Sequence, residues 1–318
     1  MYIIYVMQKG LILLFICLLI LVGCAPGHNP KIAYLSVDST QIPLLYGDLH
    51  IMNVDGSSNV KLVTKQKVMN FLCWGPEGKR IAYVGLDPET LAQNLYVIDT
   101  DGENERQITD IEDHKKHIML SAGCWNEDGN KILFTLLNNR TKFEDSDIFE
   151  VVVDESSMTE LNFKGVGVTW ASRGDKISFN ANRTTSSGLV VTYIAKAGEK
   201  LSDATMASDA AALRCGVRSF KDDKLICNGP RNRQNQRQLL FLDVETGEQI
   251  PISRWPVSGQ EELIFTHMDW SPHNGKIMYT GLHLLNKEVD VYVMTTDGFQ
   301  NVKLMNEPLT CCAAWSDR

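Results

Sequence analysis

The sequence predicts an all-β protein: a six-bladed β-propeller of four-stranded antiparallel blades, closed by N-terminal strands b, c and d joined to a C-terminal strand a. Three observations carry that expectation. Aromatic residues recur at Trp74, Trp125, Trp170, Phe220, Trp270 and Trp315, spaced 45 to 51 residues apart. Each opens a similar phrase, a polar turn followed by a β-rich run. The last phrase breaks off where the first run begins, as if one unit were divided between the two ends of the chain.

Within a unit, strand a ends on the repeated aromatic and a polar turn leads into strand b. Trp74-Gly-Pro-Glu-Gly-Lys-Arg-Ile-Ala-Tyr83 is matched by Trp125-Asn-Glu-Asp-Gly-Asn-Lys-Ile-Leu-Phe134. Trp170-Ala-Ser-Arg-Gly-Asp-Lys-Ile-Ser-Phe179 and Trp270-Ser-Pro-His-Asn-Gly-Lys-Ile-Met-Tyr279 follow the same plan. A Gly-containing turn between two β-rich runs is a hairpin signal. Strand c alternates apolar and polar residues, as in Asn94-Leu-Tyr-Val-Ile-Asp99 and Val289-Asp-Val-Tyr-Val-Met294. Turns at Asp55-Gly56, Asp101-Gly102 and Asp297-Gly298 lead to a short strand d, such as Val60-Lys-Leu-Val63 or Val302-Lys-Leu304. Four antiparallel strands repeated in this way describe propeller blades.

The ends complete one another. The last unit stops at Trp315-Ser-Asp-Arg318, short of its strand b, and Pro30-Lys-Ile-Ala-Tyr34 has the pattern of that strand. The N-terminal piece thus supplies strands b, c and d near 31–36, 48–54 and 60–63, and residues 311–315 supply strand a. An open ring would leave sheet faces and their aromatics in water. Burying one Trp removes about 150–250 Å² from solvent, worth several kcal/mol at about 25 cal/mol per Å².

The chain has 318 residues, 44% hydrophobic and 22% charged, with 23 Gly and 10 Pro. That composition excludes disordered, collagen-like and multi-span membrane classes. A formal charge of −8 argues against a nucleic-acid partner.

Residues 1–23 read as a signal peptide rather than as part of the fold. Lys9 precedes an unbroken apolar run from Leu11 to Val22, short of the roughly 20 residues that span a bilayer. Leu21-Val22-Gly23-Cys24 resembles the bacterial lipobox. The resemblance implies a diacylglyceryl thioether on Cys24, cleavage before it and acylation of the new amine, for instance by palmitate. The other reading is an uncleaved signal anchor in which Cys24 is incidental. Residues 24–30 are then a lipidated tether and 31–318 the propeller domain. The expected address is the cell envelope, lipid-anchored on the extracytoplasmic side of the outer or the cytoplasmic membrane according to the host.

Over about residues 30–318 the chain resembles the TolB-like, WD40-like (PD40) propeller family, whose repeat reads Trp-Ser-Pro-Asp-Gly-Lys-x-Ile-Ala-Phe. The phrases beginning at Trp74 and Trp270 carry the resemblance. It implies the propeller fold and leaves the partner open. The unit around Phe220-Lys-Asp-Asp-Lys-Leu-Ile departs from the pattern, lacking both Trp and Gly. TolB also has an α/β domain ahead of its propeller, for which the tether has no room.

Alternating strand directions place the a–b and c–d turns on one face and the b–c and d–a loops on the other. The second set is long: 37–47, 85–93, 136–146, 229–236, 281–288, and also 110–118, 205–212 and 253–262. Long loops on a rigid scaffold favour binding, so this face is the expected working surface. It holds Trp255, the sole tryptophan outside the repeat, and a basic group of Arg231, Arg233 and Arg237 with Arg214 and Arg218 nearby. Trp255 suits a protein contact or a sugar platform, or packs its loop on its own blade. The arginines suit carboxylate recognition, or form a solvated loop.

The expected function is therefore non-catalytic: a monomer that binds a protein or envelope component through the long-loop face. The alternative is a carbohydrate-active, lyase-like or peptidase-related enzyme using channel residues. No Gly-x-Ser-x-Gly elbow, phosphate loop or His-Glu-x-x-His occurs, so no catalytic residue, metal or cofactor is assigned. His114 and His117 share a loop, and His267 with Asp269 lies on an innermost strand that could face the channel. Cys73 and Cys124 read as small core residues, Cys215 and Cys227 as a candidate cross-strand bridge, and Cys311-Cys312 as part of the closing strand.

Overall fold

A computed structural model describes residues 31–37, 46–62, 64, 67–121, 123–138, 146–170, 175–182, 190–207, 214–218, 224–231, 237–252, 263–271, 275–283, 289–298, 300–304 and 310–316. The strands in chain order are β1 (Lys31–Val37), β2 (Tyr46–Asn53), β3 (Val60–Lys61), β4 (Lys67–Trp74), β5 (Arg80–Leu86), β6 (Gln93–Asp99), β7 (Arg106–Gln107) and β8 (Lys116–Met119). They continue as β9 (Lys131–Asn138), β10 (Asp147–Val152), β11 (Ser157–Lys164), β12 (Val166–Trp170), β13 (Lys176–Asn182), β14 (Val190–Lys196), β15 (Thr205–Met206) and β16 (Arg214–Arg218). The remainder are β17 (Lys224–Arg231), β18 (Arg237–Asp243), β19 (Gln249–Pro251), β20 (Leu263–Trp270), β21 (Lys276–His283), β22 (Val289–Thr295), β23 (Asn301–Lys303) and β24 (Thr310–Trp315).

All pairings are antiparallel, and the sheets form a β-propeller arrangement. Among the described residues there are four four-stranded sheets, β8–β11, β12–β15, β16–β19 and β20–β23, and one eight-stranded sheet. The larger sheet departs from the expectation of separate four-stranded units. β3 pairs only with His50 and Ile51 on the edge of β2, and β4 pairs with the start of that edge at Tyr46 and Gly47. A two-residue outer strand leaves backbone donors and acceptors open, and the next inner strand takes them up.

The two ends meet as the sequence implies. β1 pairs with β24 through Ile32–Trp315, Ala33–Ala314, Leu35–Cys311 and Ser36–Thr310. The Ser316 amide donates to the Lys31 carbonyl at 2.9 Å, and the Lys31 amide donates to Ser316 Oγ at 2.7 Å.

Burial explains the patterning. β5 and β6 are buried along nearly their whole length, because each sheet is sandwiched between its neighbours. A strand covered on both faces reads as a continuous apolar run, which is why Ile81 to Val84 shows no alternation. The outer strand β11, by contrast, buries only Leu161 and Phe163 along its length. Hydrophobic clusters lie between successive repeat units. One joins Trp74 to Ala33 and Leu49, another joins Trp125 to Val97 and Met69, and a third joins Trp170 to Leu133 and Ile148. Trp315 packs with Ile32, Met278 and Val293, so the closing strand is bonded on one side and packed on the other.

Strands b and c are further tied by rings in register. Tyr34 stacks on His50, Tyr83 on Tyr96, Phe134 on Phe149, Phe179 on Tyr193 and Tyr279 on Tyr292, at centroid distances of 5.1 to 5.8 Å. Each pair occupies directly opposed positions of its two strands. Cross-strand aromatic pairs of this kind contribute roughly 0.2–1 kcal/mol each. The Asp-Gly turns close as expected, with Gly56, Gly102 and Gly298 at φ of +82°, +91° and +74°, a conformation that suits glycine.

The inner strands carry an irregularity that the sequence did not announce. Register shifts fall between Val68 and Leu72, Val166 and Thr169, Cys215 and Arg218, and Phe265 and His267. In the unit of Trp125 the inner strand stops at Met119 and resumes as one bridge, Trp125–Ile132. A bulge bends a strand and increases its twist, so these shifts re-aim the end that bears the repeated aromatic.

Candidate functional site

The long-loop face is partly outside the described residues. Trp255, Arg233 and Phe220 lie there, as does Cys24 with the whole of residues 1–30. Arg231 corrects the expected loop of 229–236 by a short distance, since it ends β17; Arg237 begins β18, and the two are directly opposed in register. The backbone thus brings these two cationic residues together at one hairpin mouth, with Arg214 toward the same end, opposite Asn228, while Arg218 lies at the far end of β16, opposite Leu225.

The described loops on this face are locally braced. In the 87–92 connection Asp87 Oδ1 accepts the amides of Glu89 and Thr90 at 2.8 and 3.1 Å. These bonds hold its carboxyl below the ordinary range. His117 is not a loop residue but lies on β8, with Nδ1 2.9 Å from Gln93 Nε2. Gln93 Oε1 accepts the Ile118 amide at 3.2 Å, which ties β6 to β8 across the sheet boundary. His114 is exposed at the turn before it. Among the described residues no group of three or more His, Cys, Asp or Glu is placed to hold a metal ion.

Toward the axis, Asp269 is not a channel-facing polar group. It is 6% exposed, and its carboxylate is engaged on both oxygens: Oδ1 accepts its neighbour Trp270's amide at 2.9 Å and Oδ2 the Trp315 amide at 2.8 Å. The same position, one residue before the repeated Trp, is occupied in an earlier unit by Cys73. Its Sγ accepts the Cys124 amide at 3.0 Å, and its carbonyl accepts Trp125 Nε1 at 3.3 Å. Burial and contact with Cys73 push the Cys124 thiol up, so Cys124 is a neutral packing group. Asn180 does comparable work from strand b, donating to the Cys215 carbonyl at 2.7 Å and accepting its amide at 3.1 Å. These sheet-to-sheet bonds were invisible in sequence, since Cys73, Asp269 and Asn180 share neither a residue type nor a single place in the unit.

Cys215 and Cys227 face each other in register and form a disulfide, so the candidate bridge is present. Arg80, opening β5, reaches the next unit. Its guanidinium lies 4.9 Å from the Trp125 ring centroid and donates to the Gly129 carbonyl at 2.6 Å. Tyr83 donates its hydroxyl to Glu105, and burial with that contact drives its ionisation far up the scale. Tyr279 exchanges hydrogen bonds with Asn301 and is shifted the same way by burial. Among the described residues no helix is long and apolar enough to cross a membrane.

Comparison with known proteins yields matches at the level of fold. Neither a protein-family model nor a curated protein sequence matches the chain. Among solved structures it is similar to TolB from Acinetobacter baumannii, with 19% identity and a TM-score of 0.66 over 90% of this chain and 66% of that one. The β-propeller domain of the Trilobed protease from Pyrococcus furiosus matches at 14% identity and a TM-score of 0.53, covering 87% of this chain and 80% of that one. An oligogalacturonate lyase from Vibrio parahaemolyticus matches at 13% and 0.52, covering 86% and 78%. At these identities the likeness establishes the fold alone: the chain has a β-propeller fold of the kind seen in TolB and in protease and lyase propellers.

Proposed function

We propose that this chain is an exported lipoprotein, held by a lipid on Cys24, whose propeller binds a protein or envelope component through the long-loop face without catalysis. In this reading the ring has six blades. Dividing the eight-stranded sheet at the two-residue contact between β2 and β4 supports that count. So does the distribution of buried residues into clusters that each draw on two neighbouring units.

The observation that carries the binding reading is the engagement of Asp269. This carboxylate sits on an innermost strand, yet both its oxygens accept backbone amides, one from its neighbour Trp270 and one from Trp315 on the closing strand. It braces the ring and is not held ready for proton transfer. Export is supported by the Cys215–Cys227 disulfide, since disulfides persist in oxidising compartments. The paired Arg231 and Arg237, with Arg233 between them, then offer a carboxylate-binding edge on an otherwise acidic molecule.

Two experiments test this. A Cys24→Ala chain should lose membrane retention and incorporation of a fatty-acid analogue; label that persists in the variant overturns the anchor. Purified protein should show no turnover of pectic fragments or peptides. Turnover together with stoichiometric bound metal replaces binding by the enzyme reading, which the lyase and protease structures keep in view.

A further inference from the structure

We propose that the cavity over Trp170, on the short-turn face and distinct from the long-loop surface, is a binding site for the guanidinium of an arginine side chain on a peptide partner. The chain itself shows what the site is built to take. At the preceding boundary Arg80 lays its guanidinium over the Trp125 ring and bonds the carbonyl of Gly129 in the next turn. Gly129 has φ of +67°, and a Cβ there would come within 3.1 Å of Arg80 Nη2, so the guanidinium is seated closely against that turn.

Lys131 stands at the corresponding position one unit later, opening β9 as Arg80 opens β5. It does not repeat the contact. Its Nζ pairs with Glu150 on β10 at 2.8 Å. The space beside Trp170 is instead a cavity of about 470 Å³, walled by that indole, the carboxylate residues Glu127, Asp128 and Asp175, two asparagines and Lys131 itself. Trp170 is 6% exposed and its Nε1 has no hydrogen-bond partner among the described residues, whereas Trp125 Nε1 is bonded to Cys73.

The chemistry is specific. Glu150 already offsets the Lys131 charge, leaving three carboxylate groups around an aromatic wall. A cation over a Trp face is attracted by the ring's negative π cloud, more strongly as it is desolvated. Carboxylates add directional acceptors for a planar, five-donor guanidinium, which an ammonium point charge uses less well. A neutral ureido side chain loses the cation–π attraction and keeps only weaker, uncharged hydrogen bonds to the carboxylates.

The test uses the full propeller labelled with ¹⁵N at tryptophan, titrated with Nα-acetyl-arginine amide and with its neutral isostere Nα-acetyl-citrulline amide. The Trp170 indole signal, assigned with Trp170→Phe, should shift saturably with the arginine compound. The citrulline compound should bind at least about ten-fold more weakly, the ratio expected for roughly 1.4 kcal/mol. Glu127→Gln with Asp175→Asn should weaken arginine binding by a similar factor. Lys131→Arg should abolish it, because the chain's own guanidinium then fills the place as Arg80 fills its own. Equal response to the two compounds, or undiminished binding by the Lys131→Arg chain, overturns the proposal.

Discussion

Asp269 and Trp315 lie 46 positions apart and are joined by a 2.8 Å bond from the Trp315 amide to the Asp269 carboxylate. The bond couples the last complete unit to the strand that closes the ring. Removing the acceptor leaves a buried amide unsatisfied, at a cost of about 1–3 kcal/mol. Asp269→Ala should therefore lower stability by that amount in denaturant unfolding, and Asp269→Asn by less, because an amide oxygen still accepts one bond. Unchanged stability in the Ala variant would mean that the closing strand does not depend on this brace.

Trp270 is 3% exposed and stacks on Phe241 at a centroid distance of 5.0 Å, filling the boundary between two sheets. Trp270→Ala should cost about 3–5 kcal/mol, as buried aromatic truncations do. Equilibrium unfolding reads the loss directly, and a near-neutral value contradicts its place between sheets.

The Cys215–Cys227 bridge closes a short hairpin with a sequence separation of 12. Replacing both cysteines by Ala should lower stability by about 2–4 kcal/mol. Mass spectrometry of unreduced peptides should find the two cysteines joined, and Cys73 and Cys124 unlinked. Two thiols at 215 and 227 in protein isolated from the exported fraction would refute the bridge.

Alkaline pH should destabilise the fold through Tyr83 and Tyr279. Burial keeps both phenols protonated in the folded chain to well above their usual range near 10. The unfolded chain releases these protons first, so their contribution is complete below pH 10 and falls above it. The slope is about 1.4 kcal/mol per pH unit for each phenol. Unfolding measured from pH 9 to 11 should steepen in the parent and flatten in Tyr83→Phe with Tyr279→Phe. An identical slope in the double variant would assign the loss elsewhere.

Much of this architecture was legible because the repeated phrase couples a large aromatic to a turn of fixed form. Trp74, Trp125, Trp170, Trp270 and Trp315 are all buried between repeat units, as their recurrence implies. The split of one unit between Lys31 and Trp315 could be read because β-strand patterns are local. The tie between β2 and β4 could not, since it depends on how much of an edge a two-residue outer strand leaves open. Asp269 was misjudged for a related reason. Its sequence position suggests a channel, but its burial follows from the neighbouring unit's backbone, which no local pattern encodes. Of the proposed binding residues, Arg231 and Arg237 are placed by register, while Trp255 and Arg233 lie outside the described residues.

Native-state hydrogen exchange across Ile32 to Ser36 and Thr310 to Ser316 tests ring closure most directly. Pairing of the two termini predicts slow exchange in both segments, released together with the inner residues Ile132 and Phe134 at the global unfolding free energy. Rapid exchange of the C-terminal segment, with the rest of the sheets still protected, would contradict it.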